Sequence, residues 1–396
     1  MQTAVTSRSF AGVGPYMRLA FIKKRFSVHG GAEKYLQTLM RQLSKEGYEI
    51  HIFAHQWSER EGATFHKVGI LPFGSFLSVV TFNMNARSAL EKGHGMDCVV
   101  SFERTTCQDI YRAGEGCHRE WLTIRSRVVP LYKRLSFRIN PLHLSILAIE
   151  KRLFSDTGLI VANSKMVKQQ IMRHYAVPEE RITIIYNGVD LVRFSPDNRE
   201  VWRDKVRQDL SLSADDTLLL FVGSGFIRKG LKTLISAMSL VKEHNLKALV
   251  IGGDKVNGYR RWAAQCGMNG KIFFLGPQRE IEQFYAGADL FVLPTLYDPF
   301  SNATLEAMAS GLPVITTSNN GAAELIENGK EGFVIPDPLD VRELADTLRD
   351  AISHIPVMAE RAREKAEQYP IQKAAQEFIE TIRRVKETDR RLDQHF

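Results

Sequence analysis

Short apolar runs, each closed by a polar or glycine-rich turn, recur along the whole chain, with amphipathic stretches between them. Met17–Ile22, Glu49–Ala54, Asp97–Phe102, Leu159–Ala162 and Ile182–Tyr186 read as strands in the first half. Leu218–Val222, Ala248–Gly252, Lys271–Leu275, Leu290–Leu293 and Val314–Thr317 read as strands in the second. Runs this short and this apolar are those of strands buried on both faces of a parallel sheet. Between the first two, Tyr35, Leu36, Leu39, Met40 and Leu43 recur at helical spacing and end at Gly47, which predicts a β-α-β unit. The charged stretch 196–216 separates the two series and reads as a linker with a short helix. The pattern therefore predicts two doubly wound α/β halves.

The second half carries the densest candidate chemistry. After Leu290–Leu293 comes a polar loop, Pro294–Asn302, containing Asp298. Ser301 or Asn302 can cap a helix that holds Glu306 and stops at Gly311 and Pro313. Asn319, Asn320 and Gly321 then form a turn after Val314–Thr317. Two acids and free helix N–H groups meet around a crevice at the carboxyl end of a parallel sheet, where open α/β sheets bind ligands. Carboxylates suit vicinal sugar hydroxyls, and N–H groups suit phosphate or hydroxyl oxygens. A helix cap beside a solvated glutamate accounts for the same residues without function. Upstream, the loop Gly223–Gly230 offers adjacent Arg228 and Lys229, suited to a pyrophosphate, but lacks Walker spacing. Gly30 and Gly31 sit at the first strand-to-helix turn, where glycine admits a close ligand, although the pattern is not G-x-G-x-x-G.

Length and composition narrow the class. With 396 residues, two domains are the prior, and 44% apolar with 25% charged residues is the balance of a globular protein. No apolar run reaches bilayer-spanning length. Residues 1–16 lack the pattern of a secretion signal and read as a flexible leader before Met17. The four cysteines have no zinc spacing, which suits a reduced, cytoplasmic setting. Most of the +8 net charge gathers in one segment. His118–Arg152 holds eight Lys or Arg against Glu120 and Glu150, interleaved with Trp121, Leu131, Tyr132, Leu135 and Phe137. That mixture describes helices lying on an anionic membrane, or a pair of ordinary helices with a solvated basic face. No nucleic-acid-binding motif accompanies it.

Taken jointly, Gly30-Gly31-Ala32-Glu33, Gly223 to Gly230, Asp298 with Glu306, and Ala307–Val314 resemble the GT-B glycosyltransferases of family four. The landmarks run over nearly the whole chain, and within the family they are most similar to the glucosyltransferases of the lipopolysaccharide core. The resemblance implies two Rossmann-like domains facing a cleft: an acceptor domain over 17–195, a nucleotide-sugar donor domain over 196–366, and a helix over 367–396 crossing back. It implies a retaining hexosyl transfer, from a UDP-glucose-like donor to the heptose region of a lipid-linked glycan, at the inner face of the inner membrane. No cofactor or metal is implied, and the sequence has no Asp-x-Asp.

By the same resemblance, Arg228 and Lys229 neutralise the departing diphosphate. Glu306 holds the ribose and Asp298 the hexose. Asn302 and Ala303 offer backbone N–H groups, and Gly30, Gly31 and Gly223 admit the diphosphate. Of the acceptor-domain residues that could face the donor sugar, Glu115 is favoured over His118. The family usually has Glu where this chain has Asp298, which leaves the donor open. A non-catalytic protein of the same fold, binding a nucleotide sugar or an anionic lipid, and a sugar-nucleotide epimerase are the competing classes.

Overall fold

The computed structural model describes residues 17–25, 31–57, 62–92, 95–242 and 245–393, with the side chains of 31–34 and 388–393 left out. Gly30 lies outside the described residues, and so does the leader.

The described chain forms two parallel sheets. The first holds β1 (Arg18–Ile22), β2 (Glu49–Ala54), β3 (Thr64–Lys67), β4 (Cys98–Ser101), β5 (Ile110–Ala113), β6 (Leu159–Ala162) and β7 (Ile182–Ile184), in the order β3-β2-β1-β4-β5-β6-β7. The second holds β8 (Thr217–Val222), β9 (Leu246–Ile251), β10 (Ile272–Gly276), β11 (Leu290–Leu293), β12 (Val314–Thr317) and β13 (Gly332–Ile335), in the order β10-β9-β8-β11-β12-β13. Both orders reverse direction beside their first strand, and such a switch point opens a crevice at the carboxyl ends. The architecture is the doubly wound, two-domain α/β fold that the apolar runs predict.

Burial explains the runs. Leu218–Phe221 and Leu290–Leu293 are wholly buried, with helices covering both faces. β3, β5 and β13 carry no comparable signal. Thr64–Lys67 is polar because it is an edge strand, and Arg112 interrupts β5. Helix Asn198–Asp209 is firmer than a linker: Arg203 and Arg207 both bind the Asp289 carboxylate, at 2.6 and 3.1 Å.

The basic segment folds as three helices, His118–Val128, Leu131–Ile139 and Pro141–Asp156. Its last helix buries Ile149, Leu153 and Phe154, and its Glu150 is wholly buried. The middle helix instead leaves Leu131, Tyr132, Leu135 and Ile139 exposed.

The C-terminal helix, Ile371–Asp393, packs Ala375, Phe378, Ile379 and Ile382 into the core of the first sheet. The crossing is tight at Gly188, where a Cβ would fall 2.4 Å from Ile371 Cα, so any side chain would push the helix away.

Candidate active site in the cleft between the two sheets

The loop after β11 is held before it can hold anything else. Asp298 N–H donates to Asn319 O at 2.9 Å, and Gly321 N–H returns a bond to Asp298 O at 2.9 Å. Asn320, 1% exposed, accepts from Ser301 N–H and Ala322 N–H and donates to the hydroxyls of Thr304 and Thr316. All four bonds of one amide are thereby used, and the side chain ties the loop, the helix and β12 together. Sequence reasoning took Asn320 for a turn residue; only its buried partners reveal the hub. Ser301 caps helix Asn302–Ala309, accepting from Thr304 N–H.

Asp298 faces Lys229. The ammonium and the carboxylate form a short buried ion pair, each residue only 7% exposed. Burial pushes the lysine pKa below its ordinary value, and Asp298 pulls partly the other way. Gly223 makes room for this arrangement, since a Cβ there would lie 3.0 Å from Lys229 Cε. Gly230 is more constrained: its φ is +77°, and a Cβ would fall 1.9 Å from Pro294 O. The turn Phe226–Lys229 is pinned to the loop by Leu296 N–H, which donates to Arg228 O at 2.7 Å. Arg228 stays a third exposed, donates to Tyr297 O at 2.9 Å and reaches to 3.8 Å from Asp298.

Glu306 lies in the same helix, where Tyr285 O–H donates to its carboxylate at 2.9 Å. Burial, and then Glu306, push the Tyr285 phenol well above its usual range, so it remains a donor. Asn302 and Ala303 open the helix, where N–H groups have no intrahelical acceptor.

On the opposite wall, Glu115 pairs with Arg104, whose Nε donates to the buried Glu150 at 2.9 Å. Glu150 also accepts from His118 N–H at 2.7 Å and from Tyr175 O–H. His118 meets His143 through their ring nitrogens at 3.0 Å. Burial first, then Arg104 and His143, lower the His118 pKa to about 3, so the ring is neutral at ordinary pH. Arg104, Glu115, His118, Arg228 and Asp298 together line a cleft of about 390 Å³. Arg104 and Glu150 carry no motif that marks them; their role appears only where the walls meet.

The walls are closed onto one another. Tyr297 O–H donates to Gln170 at 2.9 Å and accepts from Cys117 N–H at 3.0 Å. Gly116, at φ +64°, allows this, because a Cβ would fall 2.2 Å from the Tyr297 hydroxyl. Glu324 caps helix Lys165–Tyr175 from the other domain, accepting from Lys165 and Met166 N–H at 2.9 and 2.7 Å. A relay crosses beside helix Asn302–Ala309: Arg112 donates to Asn187 Oδ1, and Asn187 Nδ2 donates to Asn302 Oδ1, both at 2.6 Å.

The structure thus brings Arg228, Asp298 and, on the opposite wall, Glu115 and His118 to one cleft, with Lys229 buried against Asp298 and Gly223 packed against the Lys229 side chain. Asn302, Ala303 and Glu306 stand on the helix that follows its loop, and Gly31 opens helix Gly31–Lys45. Among the described residues no cluster of three or more His, Cys, Asp or Glu is placed to hold a metal ion. None of the helices is long and apolar enough to cross a membrane, again among the described residues.

Two facing Rossmann-like domains with a cleft between them define the GT-B class. Residues 203–369 match the family described as glycosyl transferases group 1, and residues 29–193 match glycosyltransferase family 4. The chain belongs to this glycosyltransferase family. It is similar to the lipopolysaccharide glucosyltransferase WaaG of Escherichia coli (strain K12), with 26% identity over 372 residues, 89% of this chain and 94% of that one. The crystal structure of WaaG superposes with a TM-score of 0.78 at 24% identity, covering 91% and 98% of the two chains. D-inositol 3-phosphate glycosyltransferase of Rhodococcus jostii (strain RHA1) is 27% identical over 249 residues, 59% of this chain and 54% of that one. The structure of Anabaena HepE with UDP and glucose shares the fold, with a TM-score of 0.71 at 19% identity over 93% and 99% of the chains.

Proposed function

We propose that this glycosyltransferase moves glucose from UDP-glucose to the heptose region of a lipopolysaccharide-core acceptor, with retention of configuration and without a metal ion. The observation that carries the reading is the Arg228–Lys229–Asp298 cluster: Arg228 and Asp298 line the cleft and Lys229 is paired with Asp298, beside a helix N-terminus that follows from the same loop. An ammonium has three N–H donors, and Asp298 engages Lys229 from one side, which leaves donors for a diphosphate. Arg228, only loosely held, supplies the forked second cation. Both charges act most strongly as the glycosidic bond breaks and negative charge gathers on the diphosphate. Glu306, backed by Tyr285, holds the ribose hydroxyls, and Asp298 shares its carboxylate between Lys229 and the hexose.

Glu115 faces the sugar from the acceptor wall, held by Arg104. His118 borders the same space as a neutral ring. The basic helices His118–Val128 and Leu131–Ile139 rest on the anionic inner face of the cytoplasmic membrane, which brings the cleft to a lipid-linked acceptor. Similarity over 89% of the chain to WaaG, a lipopolysaccharide glucosyltransferase, supports a glucosyl group and a lipopolysaccharide acceptor.

The test is UDP release from UDP-glucose, UDP-galactose and GDP-mannose, with and without a heptose-terminated core acceptor. Acceptor-dependent release from UDP-glucose and an α-linked product are expected. Acceptor-independent turnover, or a β-linked product, would overturn the reading.

A further inference from the structure

A second cavity, of about 600 Å³, lies next to the cleft and is lined by none of the residues assigned to the transfer reaction. Ile227 and Leu296 line it, while their neighbours Arg228 and Tyr297 line the cleft, so the turn and the loop form a shared wall. Its other sides come from helices Leu231–Leu240 and Asn257–Gln265. Trp262 donates its indole N–H to Ser236 Oγ at 3.1 Å, which satisfies its one polar atom and leaves the ring as apolar wall. Lys232 Nζ stands 3.9 Å from the Trp262 ring centroid. Lys232 is the one charged residue among those lining the cavity, and no carboxylate joins it. Ile227 and Leu339, large apolar residues of the lining, are 68% and 48% exposed.

An apolar cavity with one cation and no acid complements an apolar chain that carries an anionic head. The surroundings point the same way. Val128, another lining residue, ends helix His118–Val128, and Leu131 begins the next helix with its apolar side chains exposed beside Lys133, Arg134 and Arg138. Apolar surface and positive charge therefore continue from the cavity to the face set against the bilayer.

We propose that this cavity takes one acyl chain of an anionic bilayer phospholipid, with the lipid phosphate at Lys232. The inference rests on the reading that the basic helices lie on the membrane. Each methylene that leaves water for the cavity strengthens binding about fourfold.

Brominated acyl chains quench a tryptophan that they touch, and this gives the test. Full-length protein is mixed with phosphatidylglycerol vesicles bearing brominated chains, with no glycan acceptor present, and pelleting is followed in parallel. The difference between the protein and its Trp262→Phe variant isolates the emission of Trp262. Quenching of that component is expected, and Gly258→Leu should abolish it while pelleting persists. A Cβ at Gly258 meets no atom within 4 Å, so the leucine enters open space without straining the fold. Protein that pellets with its Trp262 unquenched overturns the cavity assignment alone, as does quenching that survives in Gly258→Leu. Quenching that requires added glycolipid acceptor overturns the choice of a bilayer lipid. Protein that does not pellet at all overturns the membrane reading, and the inference with it.

Discussion

The loop Pro294–Ser301 and the helix Leu131–Ile139 are both polar-apolar mixtures in sequence, yet they are opposites in the folded protein. Every residue from Pro294 to Ser301 is buried, and its polar groups are spent on Asn319, Asn320, Lys229 and Gln170. In the helix, only Phe137 is buried, and four large apolar side chains face outward beside exposed cations. Under the proposed function, the difference separates two kinds of recognition. A small, charged, invariant group such as a diphosphate needs donors fixed in advance, because preorganised dipoles cost no reorganisation as charge develops. A surface needs only a matching face, since charge and buried area sum over many weak contacts.

The largest effect should come from breaking the fixed side. Lys229→Ala leaves the buried Asp298 with only the looser Arg228 contact at 3.8 Å, which costs up to roughly 3–5 kcal/mol of stability and removes turnover. Denaturant unfolding should show most of that loss recovered in the Lys229→Ala/Asp298→Asn double variant, with activity still absent. Recovery of turnover would show that the pair serves only the fold.

Arg228→Ala sharpens the contrast within the site. Arg228 is partly exposed and its principal bond is to a carbonyl, so stability should hardly change. Turnover should fall about 100-fold or more, with donor affinity changed far less. Steady-state kinetics showing a raised KM and an unchanged kcat would instead assign it to uniform donor binding.

Glu306→Gln should weaken UDP about tenfold, the scale of one charge-assisted hydrogen bond. Asp298→Asn should spare bare UDP and weaken only intact UDP-glucose. Calorimetry with both ligands distinguishes the two carboxylates, and equal losses for UDP would merge their roles.

On the surface side, replacing Arg127, Lys133, Arg134 and Arg138 with Ser should abolish pelleting with anionic vesicles at low salt. Each cation contributes on the order of 1 kcal/mol near such a surface, and no single one decides the outcome. Melting temperature and turnover on a soluble acceptor should stay near normal. Persistent binding would make the helix an ordinary solvated face.

The smallest effect concerns pH. His118 has a folded pKa of about 3, below its unfolded value, so it contributes stability above its ordinary pKa. That contribution is lost as pH falls from about 6.5 toward 3. The drop in melting temperature between pH 7 and pH 4.5 should therefore be smaller in His118→Gln than in the parent. An equal drop would place the acid sensitivity in other groups.

The rhythm of apolar runs determined the fold class by itself, because a strand covered on both faces must be apolar along its length. The same local logic marked Gly223, Arg228, Lys229, Asp298, Asn302 and Glu306, all of which lie on or beside strand-to-helix loops. Such loops sit at the carboxyl edge of the sheet whatever the rest of the chain does, so their grouping was legible in advance. Tertiary structure decided the rest. Arg104 and Glu150 are 46 residues apart, and Asn187 and Asn302 are 115 apart, separations that no periodicity can bridge. It was also burial, a property of the closed domains, that turned Lys229 and Asp298 into a pair and left Leu131–Ile139 outside. A charge in the sequence has no environment until packing supplies one, and the environment settles whether it holds the fold, meets a phosphate or faces a membrane.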